Sequence, residues 1–460
     1  MRLIRLLFLC IIANVCARAQ ESEVAHVRTI IVAGNRITKL YIVKREIGIT
    51  EDTSYPMSLL LHGIEKSRQN LMNTGLFVDV SLCLSPVGSD SLDVVVDLKE
   101  RWYFMLFPYL NPIDRNLNVW VNEYDMDPSR VNYGIKFHGK NITGRNDKLN
   151  AWIINGYTQR LAMNYYNPFS NNALNRGWGF EVAYARSREL NLSTSGNRQQ
   201  FFKDPSRFVR QQFYAGGTYS YRKGSINRHY VKLGIMSESV ADTVVRINPN
   251  YLGNGAQKAV FPELRYRFQH FDVDYIPYPT KGTTVEAEFL KRGFGGNIDL
   301  SQFTVSAARY WPLGPRGYWA SSAEFHLRVP FDQPFFNRFM LGYRESYLRG
   351  LEYYVVDGLA GGFNRNTVAW EFLNLKWKTG LRSRSHAVIP FRFYAKIYGD
   401  AGYVYNRSYG NDNPLDNRFL YTGGFGIDVV SIYDAVLRLE FSFNQLGQQG
   451  FFFHKPDIRN

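Results

Sequence analysis

The spacing of apolar residues along the chain changes once, close to residue 101. Before it, a strand-like run from Val27 to Val32 ends at Gly34-Asn35, a turn signal. Leu40, Val43 and Ile47 then recur at helical spacing, as do Leu60, Ile64 and Leu71. After Gly75 come two further strand-like runs, Phe77 to Leu84 and Leu92 to Leu98. The order is β-α-α-β-β, enough chain for a small independent α+β domain. After Lys99-Glu100-Arg101-Trp102 the period becomes two. Ala323, Phe325, Leu327 and Val329 alternate with Glu324, His326 and Arg328, and Leu437, Leu439, Phe441 and Phe443 alternate with Arg438, Glu440, Ser442 and Asn444. In a strand such sets point to opposite faces, so one face is apolar and the other charged.

A soluble sandwich would bury the apolar face between sheets, and a membrane barrel would turn it to lipid. Strand number and length separate the two. Sixteen candidate strands fall between residues 102 and 455, most near or above the roughly 9–11 residues that cross a bilayer as a tilted strand. Soluble strands average about 5–6 residues. Closing such a sheet removes the edges that lipid cannot satisfy. The expected class is therefore mostly β, a transmembrane antiparallel barrel of about sixteen strands behind one small α+β domain. Short turns such as Thr158-Gln159 and Tyr433-Asp434 contrast with long links at 189–207, 244–259 and 330–365; barrels of this kind keep short turns on the periplasmic side.

The N-terminus gives the compartment. Arg2 and Arg5 flank an apolar run from Leu6 to Val15, and Ala17-Arg18-Ala19 supplies a small-x-small cleavage site. That is a secretory signal over 1–19, too short to span as a helix. The expected domains are this signal, a small domain over 20–100 and a barrel over 101–457. Cys16 raises lipid attachment, for which Asn14-Val15 is a poor context. Cys10 and Cys16 leave with the signal, so Cys83 stays without an intramolecular disulfide partner and is expected to fill core. Aromatics make up 16% of the chain, which suits interfacial girdles. The net charge is +15, of which Arg2, Arg5 and Arg18 account for three. For an exported chain this excess belongs in a barrel lumen or against anionic head groups, not on nucleic acid.

The phrases VRTIIVAGN and LMNTGLFVDVSL closely resemble a POTRA domain, and a POTRA ahead of about sixteen strands resembles the BamA/TamA family of outer-membrane assembly and translocation proteins. Tyr347-Leu348-Arg349-Gly350-Leu351, in the longest link, resembles the family's Val/Ile-Arg-Gly-Phe/Tyr loop motif, with Leu351 where an aromatic is usual. Tyr398-Gly399-Asp400-Ala401-Gly402 resembles the Asp-x-Gly of its thirteenth strand. The resemblance implies a loop folded into the lumen and locked by Arg349 and Gly350 against Asp400 and Gly402. Parity agrees, since Asp400 shares a face with Arg392, Lys396 and Tyr398, and a guanidinium fits a carboxylate bidentately. The final strand should stop by Lys455, because Pro456 cannot donate to a ladder. A short last strand would leave a seam with the first, which the family is thought to use as a lateral gate.

The sequence holds no GxSxG elbow, HExxH, P-loop or Cys/His metal spacing. His326, between Glu324 and Arg328, is expected to join a polar network rather than a catalytic pair. The reading is an assembly or insertion factor without cofactor, metal, nucleotide hydrolysis or nucleic acid. Its expected partners are outer-membrane lipids and lipopolysaccharide, unfolded outer-membrane or exported protein clients, and accessory lipoproteins. Clients would add a strand to the edge formed by Phe77, Val78, Asp79, Val80, Ser81 and Leu82. The rivals are a pore of the two-partner secretion type, a passive porin or structural barrel, and last a lipolytic barrel enzyme. The chain has room for one POTRA, which suggests a specialised relative.

Overall fold

The computed structural model describes residues 24–88, 90–112, 120–121, 125–343, 346–380, 386–407 and 412–454. The expected signal over 1–19 and the tail from Lys455 lie outside the described residues. The chain divides into two compact units at Glu100/Arg101.

The first unit runs β1 (Val24–Ala33), α1 (Leu40–Glu46), β2 (Thr53–Pro56), α2 (Met57–Asn73), β3 (Phe77–Val87) and β4 (Ser91–Glu100). Its sheet order is β2-β1-β4-β3, with β1 parallel to β4. The short β2 adds to the elements expected from periodicity, which four residues cannot establish. Val27, Val43, Leu60, Leu71, Leu76, Phe77, Val94 and Val96 are almost wholly buried. Leu40, expected on the buried stripe, is exposed, and Ile42 takes its place beside Val43. Cys83 is exposed rather than in the core. It alternates with the half-buried Leu82 and Leu84, and so falls on the other face of the sheet. β3 is an edge strand, so among the described residues the run Phe77–Leu82 has β4 on one side and no sheet neighbour on the other.

The second unit is a sixteen-stranded sheet in which successive strands pair antiparallel. Its hydrophobicity is inverted. Leu106, Ile153, Leu161, Leu233, Phe325, Leu439 and Phe451 are exposed on the outside. Glu238, Glu263, Lys396, Asp400, Asp428 and Glu440 are buried on the inside. That is the arrangement for a protein whose outer solvent is hydrocarbon.

Two features locate the site. The first barrel strand (Phe104–Pro112) and the last (Gln449–His454) end the ladder, and among the described residues no backbone pairing joins them. The last strand, at 6 residues, is shorter than the roughly 9–11 that span a bilayer. Secondly, the long links at 188–209, 241–257, 330–359 and 406–418 all leave from one rim. The Thr158 turn lies on that rim too, because Thr158 starts the strand that pairs with the one entering link 188–209. The expectation that all tight turns share the opposite rim is thus corrected; Tyr433-Asp434 does lie there. Link 188–209 also folds back into a hairpin, Glu189–Ser195 with Arg198–Lys203, whose few residues carried no clear period.

Candidate functional site

The link 330–359 joins the eleventh strand (Gly317–Val329) to the twelfth (Ala360–Lys378) and turns inward. Met340, Leu341, Leu348, Leu351 and Val356 pack with Phe363, Val404, Leu415 and Leu420, giving the link a core of its own inside the wall. Leu351, in place of the usual aromatic, is one of these buried side chains. Burying several aliphatic groups holds the backbone still, and this rigidity positions Arg349.

Arg349 meets Asp400 of the thirteenth strand (Val388–Tyr405) as a fork, Nε to Oδ2 at 2.8 Å and Nη2 to Oδ1 at 2.5 Å. Its own backbone N–H donates to the same carboxylate at 3.3 Å. Nη1 donates to Thr367 Oγ1 at 3.0 Å and lies 3.8 Å from Glu440, while the guanidinium sits 4.0 Å above the Tyr398 ring. Both partners are buried, at 7% and 4% exposure. At that depth a cation and an anion need each other's hydrogen bonds to offset desolvation.

The two glycines fit for steric reasons. Gly350 has φ +91, and a Cβ there would lie 3.0 Å from Ser442 Cβ and 3.1 Å from the Phe443 carbonyl. A Cβ on Gly402 would meet Leu348 Cδ1 and the Gly362 carbonyl, both at 3.1 Å. Gly402 therefore leaves room for the leucine next to Arg349. The structure brings Arg349, Gly350, Asp400 and Gly402 together. The edge run Phe77–Leu82 belongs to the other unit.

The link also touches strands that sequence reasoning left out. Gly350 O accepts from Asn444 Nδ2 at 2.7 Å, and Tyr354 Oη bonds the Gln448 amide at 2.8 Å. Tyr347 stacks on His454 with centroids 5.0 Å apart, and Tyr353 lies 5.6 Å from Phe452. His454 reaches Glu440 at 3.1 Å and Glu352 at 3.5 Å. Next to them, Lys396 bridges Glu440 at 2.6 Å and Asp428 at 2.5 Å. One inward link thus grips the thirteenth, fifteenth and last strands, up to one lip of the unpaired seam. The parity of Lys396, Asp428 and Glu440 was readable; the contacts of His454 were not, for its strand has no charged periodicity.

Buried polar contacts tie residues together at both rims. At the long-link rim, buried Asn197 at the hairpin tip donates to Asp416 Oδ1 at 2.9 Å and Val355 O at 3.1 Å, and accepts from Leu415 N at 2.7 Å. At the opposite rim, Arg101 forks onto Asp434 at 2.7 and 2.8 Å, and Tyr275 Oη donates to the same carboxylate at 2.5 Å. Between them remains a cavity of about 300 Å³ whose lining includes Glu286, Glu324, Arg365 and Arg438. His326 Nε2 lies 2.8 Å from Glu324, and Ser346 Oγ donates to that same carboxylate at 2.5 Å. The imidazole's other nitrogen, Nδ1, lies 3.1 Å from Thr304 Oγ1, so His326 sits in a polar network of two hydroxyls and a carboxylate.

Comparison with known proteins gives likeness of fold. No family model matches the sequence, and no curated protein matches it. Among solved structures, BamA from Haemophilus ducreyi lacking POTRA domains 1-3 is 14% identical, with 94% of this chain and 83% of that one covered at a TM-score of 0.51. CdiB from Escherichia coli is 12% identical, covering 95% and 74% at a TM-score of 0.53. With its sixteen antiparallel strands, its outward apolar face and its small α+β unit ahead of them, the chain has the fold of a BamA/TamA-like outer-membrane β-barrel.

Proposed function

We propose that this protein is an outer-membrane assembly or insertion factor of the BamA/TamA type, working without nucleotide hydrolysis. The observation that carries the reading is the seam: a six-residue last strand, unpaired with the first among the described residues and held from inside by the link 330–359. Unpaired backbone groups at membrane depth are costly, and an incoming client hairpin would satisfy them. A seam of this kind lowers the barrier to insertion by offering partners where lipid offers none. Arg349–Asp400 is the lock that keeps the link inward while the seam changes.

The rest follows from this reading. Residues 1–19 direct export and are removed, the small unit is a periplasmic POTRA, and the outward apolar band meets lipid and lipopolysaccharide. Phe77–Leu82, at the free edge of the β2-β1-β4-β3 sheet, receives an extended client by strand addition. Accessory lipoproteins would dock on the periplasmic unit. The likeness to CdiB favours a second reading, a dedicated translocation pore. Conditional depletion with quantitative outer-membrane proteomics, sampled before growth slows, separates them. Assembly requires several unrelated barrels to fall together while periplasmic chaperones rise. Steady barrels with one secreted protein lost would transfer the assignment to a translocator.

A further inference from the structure

The two walls beside the seam differ in charge. The last four strands carry Asp400, Asp428 and Glu440, tied to Arg349 and Lys396. The first four are the first strand with the second (Val131–Lys140), third (Lys148–Gly156) and fourth (Thr158–Asn167), and their sequences contain no Asp or Glu. They hold Lys136, Lys140, Lys148 and Arg160, each at a position that alternates with exposed outward residues such as Ile135, Ile153 and Leu161. All four cations therefore face the lumen. Among the described residues no ion pair joins Lys140, Lys148 or Arg160 to an acid, whereas elsewhere in the wall Arg210 pairs with Glu238 at 2.5 Å, Lys232 with Glu181 at 2.6 Å and Arg267 with Glu288 at 2.7 Å. Lys140 and Lys148 are direct cross-strand partners, a juxtaposition of like charges that costs stability. Asp434, the acid of that rim, is taken by Arg101 and Tyr275, and Asp147 accepts from Thr143 and Tyr165.

We infer that this inner wall binds an extended acidic polypeptide segment, the class of client handed to the seam in the function proposed above. Spacing selects the ligand. Lys140 and Lys148 share one level, and Arg160, opposite Ile154, lies six residues along. At about 3.3 Å per residue that is a track of roughly 20 Å. An extended chain with acids at alternate positions matches it, because its own side chains repeat on one face with the same rise. A lipid phosphate would engage one level, and the lipid-facing side of these strands is apolar. Aromatic rings lie beneath the cations: Lys136 is 4.0 Å from the Tyr109 ring and Arg160 5.4 Å from that of Trp152. One strand separates the track from the seam edge.

The inference rests on the proposed function only for how the client arrives, and binding is read separately. The full chain in zwitterionic nanodiscs is titrated with a fluorescent decapeptide bearing Glu at alternate positions, or its Gln counterpart. The Glu peptide should bind and the Gln peptide should not. K140Q/K148Q/R160Q should weaken binding at least about tenfold. Removing mutually repelling charges leaves the barrel as stable as before or more so, read from the temperature at which it unfolds in detergent. K140E/K148E/R160E should bind a Lys peptide instead. Unchanged Glu-peptide binding by the Gln variant overturns the inference. So does wall-dependent binding of phosphatidylglycerol vesicles without peptide binding, which would make the wall a headgroup site. Wall-dependent peptide binding combined with steady barrels on depletion would keep the wall and remove the assembly reading.

Discussion

The two units solve opposite problems with the same alternation of apolar and polar residues. In the small unit Leu71, Val94 and Val96 face inward, and ion pairs such as Lys44–Glu51 and Arg68–Glu65 lie in solvent. In the barrel, Leu439 and Phe451 face outward while Lys396, Asp428 and Glu440 are almost inaccessible. A surface ion pair is worth about 0–1 kcal/mol, whereas breaking a buried one leaves an uncompensated charge. Where each unit is fragile therefore differs: methylenes hold the first, and wired charges hold the second.

The largest effect should come from Arg349. Arg349→Ala strands Asp400 at 4% exposure, costing about 3–5 kcal/mol. The expected outcome is a barrel that unfolds at lower temperature in detergent and a link 330–359 open to protease. Asp400→Ala should resemble it. The double exchange, Arg349→Asp with Asp400→Arg, should recover more than either single change but not everything, since the new acid at 349 faces Glu440, 3.8 Å from the present guanidinium. No recovery at all would show that the pair does not act as a unit.

Leu71→Ala in the small unit tests the other side of the contrast. Leu71 is 1% exposed, and the lost methylenes plus the cavity cost about 2–5 kcal/mol. Limited proteolysis of the full chain should cut within 24–100 while the barrel's unfolding temperature holds. A matching loss in the barrel would mean that the two units fold as one.

How much was legible follows from which interactions are periodic. The barrel could be read because sixteen strands repeat one rule, and Asp400 because its parity with Lys396 is a two-residue matter. The Arg349 contact needed the loop motif as well, since nothing in spacing brings a loop arginine to a strand 51 residues away. Arg101–Asp434 joins residues 333 apart with no motif on either side, and no local signal marks it. The hairpin at 189–203, the helix Asp242–Ile247 and β2 are short and are fixed by what they pack on, which no window of their own residues contains. Cys83 was misplaced although its parity was legible: it shares a face with Asp79, Ser81 and Ser85, opposite the apolar Val80, Leu82 and Leu84.

The smallest predicted effect concerns one carboxylate and a bulge. β1 slips register against β4 between Val27 and Ile30, which takes local amides out of the ladder. Glu51 fills that gap, accepting from the Ile30 N–H at 2.9 Å and from Thr29 Oγ1 at 3.2 Å while Lys44 lies 3.0 Å away. The Ile30 amide first, and the Lys44 ammonium after it, hold the Glu51 carboxyl below its ordinary value. A carboxylate lowered on folding contributes stability that is present above the ordinary Glu pKa, near 4.3, and is lost as pH falls through the lowered value. Glu51→Gln should therefore speed hydrogen exchange at the Ile30 amide near neutral pH, and this difference should shrink as acid neutralises the parent's Glu51. The barrel's buried charges should not follow the same curve, because they are held by one another rather than by an edge open to water. If the variant exchanges at the parent's rate at every pH, the bulge is held by the β-ladder alone, and the carboxylate is a bystander.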